Sequence, residues 1–595
     1  MSNNTGYIKD FISGKMVKAT PEQIEAIQPF SRKLVEEYGY DKKQIQTIPQ
    51  YRVPKRPSEA DKKQKTYPVD IAVFTSENKT DENLFMLVEC KRKTRKDGEK
   101  QLKIYLELSH AQIGIWYNGK AHLYLHKVFD KNGRMFFKQI FSIPKKGQRL
   151  EDVGKHKRKH LIVPKNLKII FKDIRNYLAG MAVGITRDEV FAQEITYLLF
   201  CKIYDEINTE LENEVKFRAG IGEDEKEVKK RIVNLFEDEV KKEYDDVLEK
   251  TDKLTLDKHC TSYVVGELQN YCITEATRDA IGDAFEVFIG PALKGSQGQF
   301  FTPRNVVRMA VNILDPRTNE SFIDPACGSG GFLVVTLEYV WRKLEEEAKK
   351  KGWSDVTLER EKMKLADRNL RAIDKDNFLS KVAKAYMTIV GNGRETFCEN
   401  SLLPPKEWGR KTQDKINLNS FDIMLTNPPF GSKIKVAGSD ILSQYELGHK
   451  WKRNKKSNKW EKTNKLREDV APQVLFIERC LQLLKPGGRM GIVLPDGILG
   501  NDTDGYIRTF ILKQAKILAI VDMPVETFMP SVSTKTSMLF LQKKKAHEHI
   551  EDYPIFIAVA EKCGHDRRGK EIEEDDMTFV AEEYKKFIKE NNIVF

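Results

Sequence analysis

The alternation of apolar and polar positions divides the chain into four stretches. In residues 1–160, IEAIQPFSRKLVEEYGY carries apolar residues at helical spacing and predicts an early helix. VDIAVF (69–74) and LFMLVEC (84–90) are short runs rich in branched residues and predict strands. The segment from Ile113 to Leu125 predicts a hairpin turning at Asn118-Gly119, a pair that tolerates the positive φ of a tight turn. Pro144 to Lys168 is basic, holds two prolines with Gly147 and Gly154, and predicts a linker. Residues 161–294 predict a helical domain. ITYLLFCKIYDEI is largely apolar, whereas Glu223 to Lys253 is dense in Glu and Lys at i, i+4 distances, as on a solvated helical face. From 295 to 545 the texture changes: SFIDPACGSGG, LRAIDKD, FDIMLTNPP, GRMGIVLP and KILAIVDMP each set an apolar run ahead of a loop. That alternation predicts an α/β doubly wound parallel sheet. Residues 546–595 are charged and less regular.

Composition adds a partner class. The 595 residues include 101 Lys+Arg against 88 Asp+Glu, a net charge of +13, which favours a polyanion such as DNA. The eight cysteines form no CxxC pair, which argues against a zinc ribbon and suits a reducing cytoplasm. The N-terminal MSNNTGYIKD lacks the order of a signal peptide, and no apolar run reaches the roughly 20 residues of a membrane helix.

The chemistry is concentrated after two strands. Asn427-Pro428-Pro429-Phe430 follows FDIMLT, at the carboxyl end of a strand where α/β folds build sites. An adenine amino nitrogen is a poor nucleophile because its lone pair is shared with the ring. Acceptors on both N–H bonds concentrate that pair on nitrogen, and the Asn427 side-chain oxygen and Pro428 carbonyl can supply them. The prolines stiffen the loop, and Phe430 can stack on an extruded base. Upstream, Asp324 to Phe332 (DPACGSGGF) is a glycine-rich strand-to-helix turn that admits close approach of a nucleoside, and Asp374 at the end of LRAID can accept ribose hydroxyls. No Walker loop is present, so a nucleoside triphosphate is not expected. Cys327 reads as a small packed residue rather than a nucleophile.

In this order the motifs resemble the N6-adenine methyltransferases of restriction–modification modification subunits, over Gly298 to about Lys545. The resemblance implies a Rossmann-like fold and S-adenosylmethionine as cofactor. It implies cofactor contacts from Phe301, Thr302, Pro303, Asp324, Pro325, Ala326, Gly328, Ser329, Gly330, Phe332 and Asp374, with Asn427 at the junction of cofactor and base. TFMPSVSTKTSMLFLQKK (527–544) resembles the family's late β-hairpin beside the target base. The family's Gly-Asp-Ser/Thr-Leu run is replaced by Glu399-Asn400-Ser401-Leu402, leaving Asn400 and Ser401 to meet the cofactor adenine.

A second constellation lies near the N-terminus. Asp70 opens VDIAVF and Glu89-Cys90-Lys91 closes LFMLVEC; alternation puts Glu89 and Lys91 on one strand face. Two carboxylates can hold Mg²⁺, with Lys91 beside the developing phosphate charge. Gln101 and Tyr105 stand one helical turn apart, and Lys91 to Lys103 carries seven Lys/Arg. This block resembles the N-terminal PD-(D/E)xK nuclease domain of type I restriction subunits. That family's Glu before an Arg on the first helix is absent: Gln28 precedes Arg32, so that either the metal shell is thinner or Glu36 or Glu37 substitutes.

Lys450 to Arg467 carries nine basic residues with Trp451 and Trp460 interleaved, and suggests a DNA-contacting loop. The chain stops at Phe595 without a further domain's worth of sequence after the methyltransferase motifs, which leads us to expect base recognition from a separate specificity subunit in a hetero-oligomer on double-stranded DNA. The resemblances together point to a fused type IIB-like cleavage and methylation chain. A methyltransferase with an inert nuclease fold, and a non-catalytic S-adenosylmethionine-sensing scaffold, stay open.

Overall fold

The computed structural model describes residues 6–55, 66–164, 166–182, 188–245, 248–276, 287, 302–391, 395–431, 434–530, 532–546 and 552–593. The chain forms two compact units: Met1–Thr186 with Tyr204–Phe236 and Leu254–Ala276, and Arg187–Ile203 with Glu237–Lys253 and Thr277–Phe595. The stretch 161–294, expected as one helical domain, is therefore shared between them. Helical periodicity identifies helices there, such as Asp188–Asn208, but does not say against which core each is buried.

The first unit is built on a six-stranded sheet in sequential order: β1 (Ile45–Gln46), β2 (Ile71–Phe74), β3 (Leu84–Cys90), β4 (Ile113–Tyr117), β5 (His122–Phe129) and β6 (Met135–Ile140). All pairs are antiparallel except β3 with β4, which the helix α2 (Glu99–Glu107) joins. Strand alternation sends Ile71, Val73, Met86 and Val88 to one face, against α1 (Gln28–Glu36) through Phe30 and Leu34. It sends Ala72, Phe74 and Leu87 to the other face, with Leu102 and Leu106 of α2. Both faces are covered, which is why Ile71–Phe74 is continuously apolar. A Cβ at Gly114 would stand 2.5 Å from Leu106 Cδ1, so this glycine lets α2 lie close on the sheet. The hairpin at Asn118-Gly119 forms as expected, with Gly119 at φ +78°.

The second unit holds an eight-stranded sheet: β7 (Phe322–Asp324), β8 (Leu370–Asp374), β9 (Thr396–Cys398), β10 (Phe421–Thr426), β11 (Leu484–Pro495), β12 (Ala515–Asp522), β13 (Thr536–Lys543) and β14 (Phe556–Val559). Their order is β9-β8-β7-β10-β11-β13-β12-β14, parallel except for β13, which runs antiparallel to both neighbours. This is a Rossmann-like α/β sheet, and the strand order reverses between β7 and β10. The late hairpin expected within 527–544 is instead β12 paired with β13, because only 536–543 is extended. Within the described part of 546–595, β14 adds to the sheet, and Phe556 packs on Tyr584 and Phe587 of the helix Met577–Glu590. Lys381, in the helix Asn377–Gly391 that follows Asp374, makes a buried ion pair with Asp252 at 2.7 Å.

Arg489 of β11 makes a two-pronged bond to Glu320, at 3.0 and 3.1 Å, in the loop before β7. Removing one member of a buried pair leaves the other charge uncompensated. Glu320→Ala is expected to lower the stability of this unit by about 3 kcal/mol, read as a shift of the denaturant midpoint. Among the described residues, no helix is long and apolar enough to cross a membrane.

Candidate active site

Three strand ends meet at the switch point: Asp324 closes β7, Asp374 closes β8, and Asn427 follows β10. The turn after Asp324 depends on two left-handed glycines, Gly328 at φ +53° and Gly330 at φ +87°, the latter starting the helix Gly331–Lys351. Asp374 clasps this turn. Its Oδ2 accepts the Gly328 N–H at 2.8 Å and its Oδ1 accepts the Asp376 N–H at 2.8 Å. The Cys327 N–H donates to the Ile373 carbonyl at 3.0 Å. Ser401 Oγ donates to the Pro325 carbonyl at 2.5 Å, and Asn400 Oδ1 accepts the Leu402 N–H at 3.1 Å. Across the site, Asn427 Nδ2 donates to Thr302 Oγ1 at 3.1 Å, which orients the carboxamide.

These groups share one cavity of about 340 Å³. Pro325, Ala326, Gly328, Ser329 and Phe332 of the turn line it, with Asp374, Asn400 and Ser401. Thr302, Asn427 and Pro429 line it from the other strand end. The remaining expected residues stand elsewhere. Asp324 is wholly buried behind the turn, where its Oδ1 accepts the Ala326 N–H at 3.0 Å. Gly330 and Pro303 act as helix starts, and neither they nor Pro428 reaches the lining. Phe430 is buried, edge-on to Phe528 at 6.2 Å, rather than an open stacking platform. Phe301 lies outside the described residues. The lining also takes in Lys375, Leu379, Ile434 to Ala437, Pro472 and Phe476, none of which a local motif marks.

Burial governs the titration of the site. It pushes the Asp324 carboxyl up to about 7, helped by the nearby Asp374, and the Asp374 carboxyl up to about 6 against the pull of its two backbone N–H donors. Burial also holds the Cys327 thiol well above its ordinary range, so it is no thiolate nucleophile. The donor set fits an adenosyl ligand: one carboxylate for ribose hydroxyls, one carboxamide for a purine edge, and apolar walls from Phe332, Leu379 and Phe476. An ionised Asp374 accepts more strongly than a protonated one. S-adenosylmethionine affinity is therefore expected to weaken as pH falls through about 6. Asp374→Asn should bind about tenfold or more weakly at pH 8 and lose that transition, as read by calorimetry across pH.

In the first unit, Asp70 precedes β2 and Glu89 lies in β3. The Cys90 N–H donates to Asp70 Oδ2 at 2.7 Å, and Glu89 is ion-paired with Lys91. Burial and the Glu89 charge push Asp70 up to about 7. Burial raises Glu89 as well. For Lys91 burial works downward, and its bond to Glu89 together with the charges of Glu89, Asp70 and Glu22 outweighs it, so the ammonium is held above its ordinary value. Tyr105 donates to the Pro68 carbonyl at 3.0 Å and stands near Glu89, with Gln101 one turn before it on α2. Of the two acids expected as substitutes, Glu37 is engaged elsewhere. Glu37 accepts the Tyr271 hydroxyl at 2.6 Å, whereas the charge felt by Asp70, Glu89 and Lys91 is that of Glu22, just before the first helix. Gln28 is occupied with Asp10 and the Phe11 N–H. Among the described residues, no three or more His, Cys, Asp or Glu are grouped to hold a metal.

Residues 276–594 match the family model described as N-6 DNA Methylase, and residues 25–144 match that of the type I restriction enzyme R protein N terminus. The first match spans more than half of the chain, which belongs to the N-6 DNA methylase family. Relatives include the methylase subunit of the type I restriction enzyme EcoEI of Escherichia coli, 26% identical over 281 residues (46% of this chain, 49% of the relative). The EcoKI methylase subunit of Escherichia coli strain K12 is 26% identical over 383 residues (59% and 63%). That of MjaIX from Methanocaldococcus jannaschii is 25% identical over 312 residues (51% and 48%). The chain spans about half the length of the curated relatives it matches. A crystal structure of the type I restriction-modification methyltransferase subunit from Streptococcus thermophilus aligns over 71% of this chain and 91% of its own, at 18% identity and a TM-score of 0.43.

Proposed function

We propose that this chain transfers a methyl group from S-adenosylmethionine to the N6 of adenine in double-stranded DNA, as the modification subunit of a cytoplasmic restriction–modification complex. The observation that supports this most is the single cavity joining Asp374 and the glycine turn to Asn427 and Pro429. When bound, the cofactor supplies an electrophilic methyl group. Asp374 and Asn400 hold its nucleoside part. The Asn427 oxygen and the Pro428 carbonyl would accept hydrogen bonds from the two amine N–H groups; as the nitrogen bonds to the methyl carbon the carbon–sulfur bond breaks, its electron pair leaves with the sulfur as S-adenosylhomocysteine, and the nitrogen gives up one proton to solvent, with no covalent enzyme intermediate. Positioning supplies much of the rate. Site choice comes from a separate specificity subunit with target recognition domains; the named relatives are methylase subunits of type I enzymes. Transfer of labelled methyl to adenine N6, in DNA incubated with the chain and its copurified partner, tests the reading. Absence of label in DNA, with S-adenosylmethionine still bound, would leave a non-catalytic sensing scaffold.

A second reading is favoured by the convergence of Asp70, Glu89 and Lys91 at one end of the neighbouring strands β2 and β3, with the charge of Glu22 acting on all three. In it the first unit cleaves DNA with Mg²⁺ held by Asp70 and Glu89, as a type IIB-like site-specific endonuclease. Glu22 stands by as a further acid, and Lys91, Gln101 and Tyr105 orient the attacked phosphate. Without this activity the chain is a methyltransferase only.

A further inference from the structure

Between β10 and the helix Pro472–Leu483 the chain makes an excursion with a stem and an arm. The stem is Val436–Ala437 paired antiparallel with Asp469–Val470, and Lys435, Val436 and Ala437 line the cavity. The arm is a hairpin of His449–Arg453 and Trp460–Leu466, with Trp451 opposite Lys462 and Arg453 opposite Trp460. The tryptophans are not free to stack on bases. Trp451 and Trp460 pack against Tyr506 at 6.2 and 6.1 Å, and Trp451 Nε1 donates to the Glu446 carbonyl at 3.1 Å. A Cβ at Gly505 would stand 2.5 Å from Trp460 Nε1, so the glycine admits this anchor. The Arg467 guanidinium lies over the same Tyr506 ring at 5.1 Å. The hairpin is thus fastened at its aromatic positions, while Lys450, Lys452, Lys455, Lys456, Lys459 and Lys465 are exposed.

We propose that this hairpin is a phosphate-gripping arm: it lies along the backbone of duplex DNA and supplies sequence-independent affinity at the cavity where the adenine is methylated. The inference rests on the reading of the chain as a DNA methyltransferase. A ribbon of exposed ammonium groups on an anchored hairpin, with a single carboxylate among them, Glu461, complements a polyanion. Because its stem is a wall of the cofactor cavity, the arm meets DNA beside the reacting atoms.

The test is the full chain carrying Lys450→Gln, Lys452→Gln, Lys455→Gln and Lys456→Gln, bound to short random-sequence duplexes over a salt series. Each phosphate contact removed should lower the log–log salt slope by about 0.9, and affinity at about 0.1 M salt should fall at least tenfold for every sequence. Thermal midpoint and S-adenosylmethionine binding should match wild type, since the anchors are intact. Wild-type binding with an unchanged slope in the variant overturns the arm and leaves the methyltransferase reading standing. A wild type that binds S-adenosylmethionine but no duplex even at low salt overturns both.

Discussion

Asn427→Ala is expected to lower methyl transfer to DNA by at least about 10²-fold while leaving S-adenosylmethionine affinity within about threefold of wild type. Asn427 lines the cavity from the end of β10, whereas Asp374 closes β8 and Asn400 follows β9, so the nucleoside part of the cofactor should feel its loss little. The amine should. With one acceptor gone, the lone pair stays delocalised into the purine, and the loss falls on kcat rather than on cofactor binding. Asn427→Asp keeps an acceptor oxygen but gives up the Nδ2 bond to Thr302, and should retain more activity than alanine. Tritium counting in DNA and calorimetry with S-adenosylmethionine separate the two quantities. Equal losses in both would reduce Asn427 to a piece of cavity wall, and full activity in the alanine variant would end the mechanism altogether.

What could be read in advance follows the range of the interactions. Asp324, the glycines after it, Asp374 and Asn427 each sit at a strand end, and a strand followed by a loop is a local pattern; the structure gathers Asp374 and Asn427 into one cavity. Asp324 illustrates the limit of that reasoning. Its position at the end of β7 was legible, but its complete burial behind the turn depends on strands on either side. Pro472, Phe476 and Ile434 reach the cavity only through packing that brings distant segments together, so their apolar character looks like any core residue. Glu22 escaped notice because it precedes the first helix, while the sequence pattern drew attention to acids at that helix's end. The sharing of 161–294 between two units has the same origin. Helical spacing specifies a buried face and is silent on the partner that buries it.

Asp70→Asn and Lys91→Ala are each expected to abolish Mg²⁺-dependent cutting of DNA, by at least about 10³-fold, with methyl transfer unchanged. The two substitutions act on different parts of one arrangement. Asparagine at 70 keeps the shape that receives the Cys90 N–H but removes the charge that would hold a divalent cation in the nuclease reading. Alanine at 91 leaves the carboxylates in place and frees Glu89 from its ion pair, so metal binding should persist or tighten while the phosphate loses its cation. Isothermal titration with Mg²⁺ therefore distinguishes them: weaker in Asp70→Asn, equal or tighter in Lys91→Ala, with neither cutting. Methyl transfer shows that the other compact unit, which holds Asp374 and Asn427, is intact, and an unchanged thermal unfolding profile is the control for folding of the first unit. If the wild-type chain with its specificity partner cuts no DNA at any Mg²⁺ concentration, the Asp70–Glu89–Lys91 cluster is structural, and the chain is a methyltransferase carrying a nuclease-like fold as scaffold.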